Sequence, residues 1–172
     1  MGTHPYTHDL VRRGSADTCP DSGPPPEKFG DIITCDWSDL KHDTKSRAGH
    51  VDQLTILDRG TRWLYSHPTD TREHEEIIIG FSHFLGSQLP TPKLIYSDNG
   101  PEFLKAYKIL NFPADKSQPH RAATNGVIER AQRTVKEGTS CLLSQAGMQP
   151  EWWVEASKCY CFLHNVYDEM PS

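Results

Sequence analysis

No apolar run in this chain approaches the roughly 20 residues needed to cross a bilayer. The start, Met1-Gly2-Thr3-His4-Pro5-Tyr6, lacks a basic segment followed by an apolar one. Both absences argue against a spanning helix and a secretory signal, so a soluble intracellular product is expected, nuclear or cytoplasmic and without a membrane partner. Cys-x-x-Cys pairs are missing as well. The five cysteines, Cys19, Cys35, Cys141, Cys159 and Cys161, are odd in number and scattered, which points away from a disulfide framework or a four-ligand zinc site and toward small core hydrophobes. Basic charge is in short supply, with 18 Lys and Arg against 23 Asp and Glu and a net charge of -5. Because Lys and Arg supply most non-specific affinity for phosphate, any nucleic-acid contact must come from basic residues gathered on one face.

What is present suits one domain: 172 residues, 35% hydrophobic, with no second composition block of domain size. Residues 1–28 read as a disordered or extended tail, rich in breakers and ending near Pro24-Pro25-Pro26, and residues 29–172 as the folded core. Asp31 to Trp37 reads as a buried strand, Gln53 to Asp58 as a second and Thr61 to Ser66 as a third, the last two joined by an Asp58-Arg59-Gly60 turn. Ile77, Ile78, Phe81, Phe84 and Leu85 recur at helical spacing behind an Asp70/Glu73 capping box. Leu94 to Ser97 is a fourth strand, and Pro101 opens a short helix to about Leu110. Asn125 is placed to cap a long helix, and a last helix starts near Pro150 with Trp152 or Trp153, Ala156, Tyr160 and Leu163 on one side. The pattern predicts an α/β fold, with an antiparallel three-strand meander and further strands flanked by helices.

Three carboxylates stand out by context: Asp36 ending Ile32-Ile33-Thr34-Cys35-Asp36, Asp98 in Tyr96-Ser97-Asp98-Asn99-Gly100-Pro101-Glu102-Phe103, and Glu129 in Thr124-Asn125-Gly126-Val127-Ile128-Glu129-Arg130. Two at strand ends and one on a helix offer hard oxygen donors of the kind Mg2+ or Mn2+ prefers, enough for two ions with positions left open for phosphate oxygens. On a helical wheel Arg133 and Lys136 fall close to Glu129, while Ile128, Ala131, Val135 and Leu142 group elsewhere. Each acid also has an ordinary reading: a strand-end turn acid for Asp36, with Asp39 as a rival, a turn signal for Asp98, and a solvated helix face for Glu129. Glu102 reads as a first-turn acid favoured by the helix dipole, and Asp58 and His50 as structural.

These segments, from about Phe29 to Val166, resemble the catalytic core of retroviral and retrotransposon integrases, the DDE group of the ribonuclease H-like superfamily. The resemblance implies a ribonuclease H-like mixed sheet, with Asp36, Asp98 and Glu129 as catalytic metal ligands for two Mg2+ or Mn2+ ions. It also implies DNA contacts from Asn125, Arg133, Lys136 and Arg121, and action as a homodimer or higher multimer on element ends and target DNA. The implied reaction is DNA 3′-end processing and strand transfer, by a polynucleotidyl transferase that is a fragment of a polyprotein, with a core expected to be truncated at its C-terminal side. Of the family's upstream zinc module only His4, His8 and Cys19 could be relics. The interval between Asp98 and Glu129 holds 30 residues, against roughly 35 usual in the family, so the stretch 111–124 must absorb the shortfall. Two other readings stand beside this one: a catalytically inactive or co-opted DNA-binding or assembly remnant, and a nuclease acting on RNA:DNA hybrids, for which Asp168 or Glu169 would have to supply a fourth carboxylate.

Overall fold

The computed structural model describes residues 25–39, 45–86, 91–98, 100–113 and 122–168. His4, His8, Cys19, His120, Arg121 and Glu169 lie outside the described residues, as do the side chains of Asp39, Asn125 and Asp168. Strands β1 (Ile33–Asp39), β2 (Asp52–Asp58), β3 (Leu64–Thr69) and β4 (Ile95–Tyr96) form one mixed sheet in the order β3-β2-β1-β4. The first three make the antiparallel meander, and β4 joins β1 in parallel after a crossover through α1 (His74–Leu85). Then come α2 (Pro101–Leu110), α3 (Ala122–Ala146), one 3-10 turn (Pro150–Trp152) and α4 (Trp153–Asp168).

Alternation along β1 divides its side chains between two faces. Ile33, Cys35 and Trp37 join Ile95, Ile77 and Phe81 of α1, and Phe103 and Tyr107 of α2, in the larger core. Across the sheet, Leu57 and Leu64 pack with Val127, Ile128, Ala131 and Val135 of α3 and Cys161 of α4. Thr34, Asp36 and Ser38 alternate with the first set, so the Asp36 carboxylate emerges on the α3 side.

Several expectations need correction. The third strand begins at Leu64 rather than Thr61, because the buried Asp58 carboxylate captures the Gly30 N–H (2.8 Å), the Thr61 N–H (2.7 Å) and the Thr61 hydroxyl (2.8 Å), holding 59–63 in the turn. It runs on through Pro68, which an edge strand tolerates. The capping box does not form: α1 starts at His74 with Glu73 itself at the cap and no side-chain bond there, since Thr69 and Thr71 close a local turn first. Asn125 falls inside α3, which starts at Ala122, so it is not the cap. Leu143, continuing the row Val135-Thr139-Leu143, is buried in place of Leu142. Of the four described cysteines, Cys35 and Cys161 are buried while Cys141 and Cys159 are exposed.

The last helix departs furthest. Trp153, Val154, Ser157, Cys161 and Asn165 face inward, and Leu163 is exposed. The inner face is partly polar because it completes the edge of the sheet. Asn165 accepts from the Leu64 N–H (2.8 Å) and donates to the Leu64 carbonyl (2.9 Å), occupying an edge that would otherwise offer unpaired backbone. Asn165→Ala should leave both buried groups unsatisfied and cost about 2 kcal/mol. Urea unfolding with an unchanged midpoint would refute this.

Candidate functional site

Asp36 is the fourth of the seven residues of β1, mid-strand rather than at the strand end expected, because β1 runs on to Asp39 in its ladder with β2; Asp98 lies two residues beyond β4, and Glu129 sits in the second turn of α3. All three line one cleft of about 370 Å3, with Thr34, Tyr96 and Ile128 between them. The shortened interval therefore still allows α3 to deliver Glu129 beside the two aspartates. Asp36 is half-buried, whereas Asp98 and Glu129 are exposed. Their carboxylate oxygens do not draw together as tightly as 4.8 Å; among the described residues Glu73, His74 and Glu75, at the start of α1, do so. That second group is a set of helix first-turn residues away from the cleft, with an ion pair of 2.7 Å between His74 and Glu75.

The Glu102 carboxylate folds back over the Asp98 loop, so that a Cβ at Gly100 would come within 2.5 Å of this flexible side-chain end. Pro101 then occupies the first position of α2, where its missing N–H costs nothing. Glu102 is in the first turn as expected.

Burial and then the charge of Asp98 push the Asp36 carboxyl up to about 6, partly offset by hydrogen bonds from Gln132 and the Trp37 backbone and by Arg72. Asp98 is also raised, by burial and then by Glu102, with Arg72 and the Gly100 N–H acting in the opposite sense. Like charges at close range disfavour joint ionisation, so the proton stays longer on Asp36. A cation between these groups would reverse both shifts.

Sequence reasoning missed Gln132. Its Nε2 donates to Asp36 Oδ2 (3.1 Å) and to the Trp37 carbonyl (3.1 Å), tying α3 to the middle of β1. The signal was available, since Gln132 lies three residues after Glu129 on the same helical face. Removing this donor by Gln132→Leu should move the Asp36 pKa still higher in metal-free protein. A carboxyl carbon-13 titration shows the effect, and an unmoved Asp36 resonance would contradict it. Arg72, paired with Asp52, and Arg59, which donates to the Thr34 hydroxyl (2.6 Å) and lies over the Tyr96 ring, were also missed as basic groups near the acids. On α3, Arg133 is exposed and Lys136 half-buried.

No family model matches the chain. In sequence it is 26% identical over 154 residues, 84% of its length, to the retrovirus-related Pol polyprotein from transposon TNT 1-94 of Nicotiana tabacum, 12% of which is covered. It is 26% identical over 110 residues to the Gag-Pol polyprotein of baboon endogenous virus (strain M7), covering 61% of this chain and 6% of that polyprotein. The chain thus spans a small fraction of the relatives it matches. In structure it is similar to a chain of the simian T-cell lymphotropic virus intasome in complex with PP2A regulatory subunit B56 gamma, with a TM-score of 0.61, 18% identity, and coverage of 84% of this chain and 53% of that one. It is also similar to the HTLV-2 integrase catalytic core domain in complex with magnesium (trimeric form), with a TM-score of 0.60, 18% identity, and coverage of 83% and 87%. The four-stranded mixed sheet with flanking helices is the ribonuclease H-like fold of retroviral integrase catalytic cores.

Proposed function

We propose that this chain is the catalytic core of a retroelement integrase, carrying out metal-dependent DNA 3′-end processing and strand transfer with Asp36, Asp98 and Glu129. The observation that carries the reading is the convergence of these three carboxylates, from β1, the β4 end and α3, on one cleft of an integrase-like fold. The donor set fits Mg2+ or Mn2+: all three offer hard oxygens, and Cys35, the soft neighbour, is buried and hydrogen-bonded to Tyr107. What two such ions supply when bound is activation of the attacking oxygen, water or a DNA 3′-hydroxyl, and charge stabilisation at the departing 3′-oxygen.

The chain's own residues do the positioning. Gln132 orients the Asp36 carboxylate, and the exposed face of α3 sets Arg133 and, partly, Lys136 beside Glu129 for DNA phosphates. Arg121 and Asn125 are assigned to the same DNA path. A multimer is supported by the outer face of α4, where Phe162, Leu163, Val166 and Tyr167 are all exposed.

An inactive or co-opted remnant is favoured by two observations, the net charge of -5 and the open spacing of the three carboxylates. Disintegration of a branched DNA oligonucleotide, the reverse of strand transfer, separates the readings. Wild type is expected to resolve the branch in Mg2+ or Mn2+, and Asp98→Asn to fail while still folded by circular dichroism. A folded wild type that is inert in both metals would favour the remnant.

A further inference from the structure

None of the described residues lining the cleft is basic, yet a DNA strand laid across the carboxylates would bring further phosphates against the walls. Arg59, in the turn between β2 and β3, touches two of the lining residues. Its Nε donates to the Thr34 hydroxyl (2.6 Å), and its guanidinium lies over the Tyr96 ring, 5.1 Å from the centroid, within the range of a cation–π contact. Thr34 and Tyr96 are partners in the ladder between β1 and β4, so their side chains share one face of the sheet. Asp36 is on that face too, two residues and about 7 Å further along β1.

The arginine is held at its base as well. Its N–H donates to the Ile32 carbonyl (2.8 Å), and the preceding Asp58 carboxylate takes the N–H groups of Gly30 (2.8 Å) and Thr61 (2.7 Å). These bonds close the turn without the guanidinium, so closing the turn does not account for an arginine here. A half-buried side chain fixed at its backbone, its Nε and its ring face has little rotamer freedom left to lose when an anion arrives, and that lowers the cost of binding. The planar fork of N–H donors suits a phosphate in particular.

We infer that Arg59 binds a DNA backbone phosphate at the sheet wall of the cleft, its guanidinium preset by the Thr34 hydroxyl and the Tyr96 ring. At ~3.4 Å of axis per nucleotide of one strand, this phosphate is about two nucleotides from the one that reacts at the carboxylates. The inference rests on the proposed reading of the cleft as a DNA site. It adds a contact on the sheet side, where the basic residues assigned to DNA so far belong to α3 and the stretch before it.

Arg59→Gln removes the charge and keeps a long polar side chain. Binding of a fluorescein-labelled branched DNA oligonucleotide, read by anisotropy in Mn2+ over a range of salt, is expected to weaken about tenfold at low salt, equally for unrelated sequences. The plot of log affinity against log salt should flatten by about 0.9. Arg59→Met, which keeps the stem over Tyr96 should the glutamine variant not fold, is expected to do the same, and Arg59→Lys to keep the slope while losing part of the affinity. Arg62→Gln, which takes an exposed charge from the same turn, should stay near wild type in both. Wild-type affinity and slope in the uncharged Arg59 variants would overturn the inference, and so would an equal loss in Arg62→Gln, which marks net charge alone. A lowered melting temperature with the slope unmoved would also overturn it, as the sign of a structural brace. Failure of the catalytic reading shows separately: wild type would bind the oligonucleotide with its full salt slope and resolve no branch in either metal, leaving the phosphate contact standing.

Discussion

Asp36→Asn is expected to lower disintegration activity by about a thousandfold and, in the same protein without metal, to raise the thermal midpoint. The two effects share one cause. Burial, then the charge of Asp98, pushes the Asp36 carboxyl from 3.8 up to about 6, so the folded chain holds a proton there that the unfolded chain has released. Between about pH 4 and about pH 6 the native state binds more protons, and stability therefore falls as pH rises through that window. The contribution is fully present below the unfolded value and gone above about 6. At neutral pH the ionised group costs about 1–2 kcal/mol after discounting for its partial exposure, and the isosteric amide removes that cost. Magnesium should stabilise wild type by mass action and leave the variant almost unmoved. Melting curves from pH 4 to 8, in chelator and in magnesium, read all of this. Equal metal-free midpoints for the two proteins at pH 7 would count against the electrostatic account, and retained activity against the catalytic one.

That a residue unfavourable to the fold sits in the middle of a buried strand is part of what made the site legible. Asp36 breaks an apolar run and Asp98 ends another, so both are visible as local exceptions to their pattern, while Glu129, on the polar side of an amphipathic helix, stood out through its Asn125-Gly126-Val127-Ile128-Glu129-Arg130 context. The meander was legible because β1 and β2 are short runs rich in Ile, Leu, Thr and Trp bounded by turn residues, and they are buried along nearly their whole length. Where reading failed, polar groups were doing structural tasks. Asp58 took the donors of Gly30 and Thr61 and delayed β3. Ser157 and Asn165 lie on the inner face of α4, bonded to Ser66 and Leu64 of the edge strand, and no hydrophobic periodicity marks such a face. Gln132 and Tyr107 were hidden because their partners, Asp36 and Cys35, are 96 and 72 residues away in sequence.

The position of Glu129 depends on how closely α3 approaches α4, and one residue tests that. A Cβ built at Gly138 would lie 2.1 Å from two ring carbons of Tyr160 on α4, far inside contact distance, so any side chain here must push the ring or the helix aside. Gly138→Leu is expected to destabilise by about 3 kcal/mol. Gly138→Ala should also destabilise, although alanine in a helix interior is ordinarily better than glycine by about 1 kcal/mol. In a Tyr160→Ala background the obstacle is gone, and the same Gly138→Ala change should become stabilising. This reversal of sign within a double-mutant cycle, measured by urea unfolding, separates close packing from a generic glycine effect. If Gly138→Ala stabilises in both backgrounds, the ring yields freely and does not set the helix spacing. If the sign reverses, α3 is braced against α4 two to three turns beyond Glu129. Gly138→Ala should then lower metal-dependent activity more than its modest loss of stability explains, because a shifted α3 carries Glu129 away from Asp36 and Asp98.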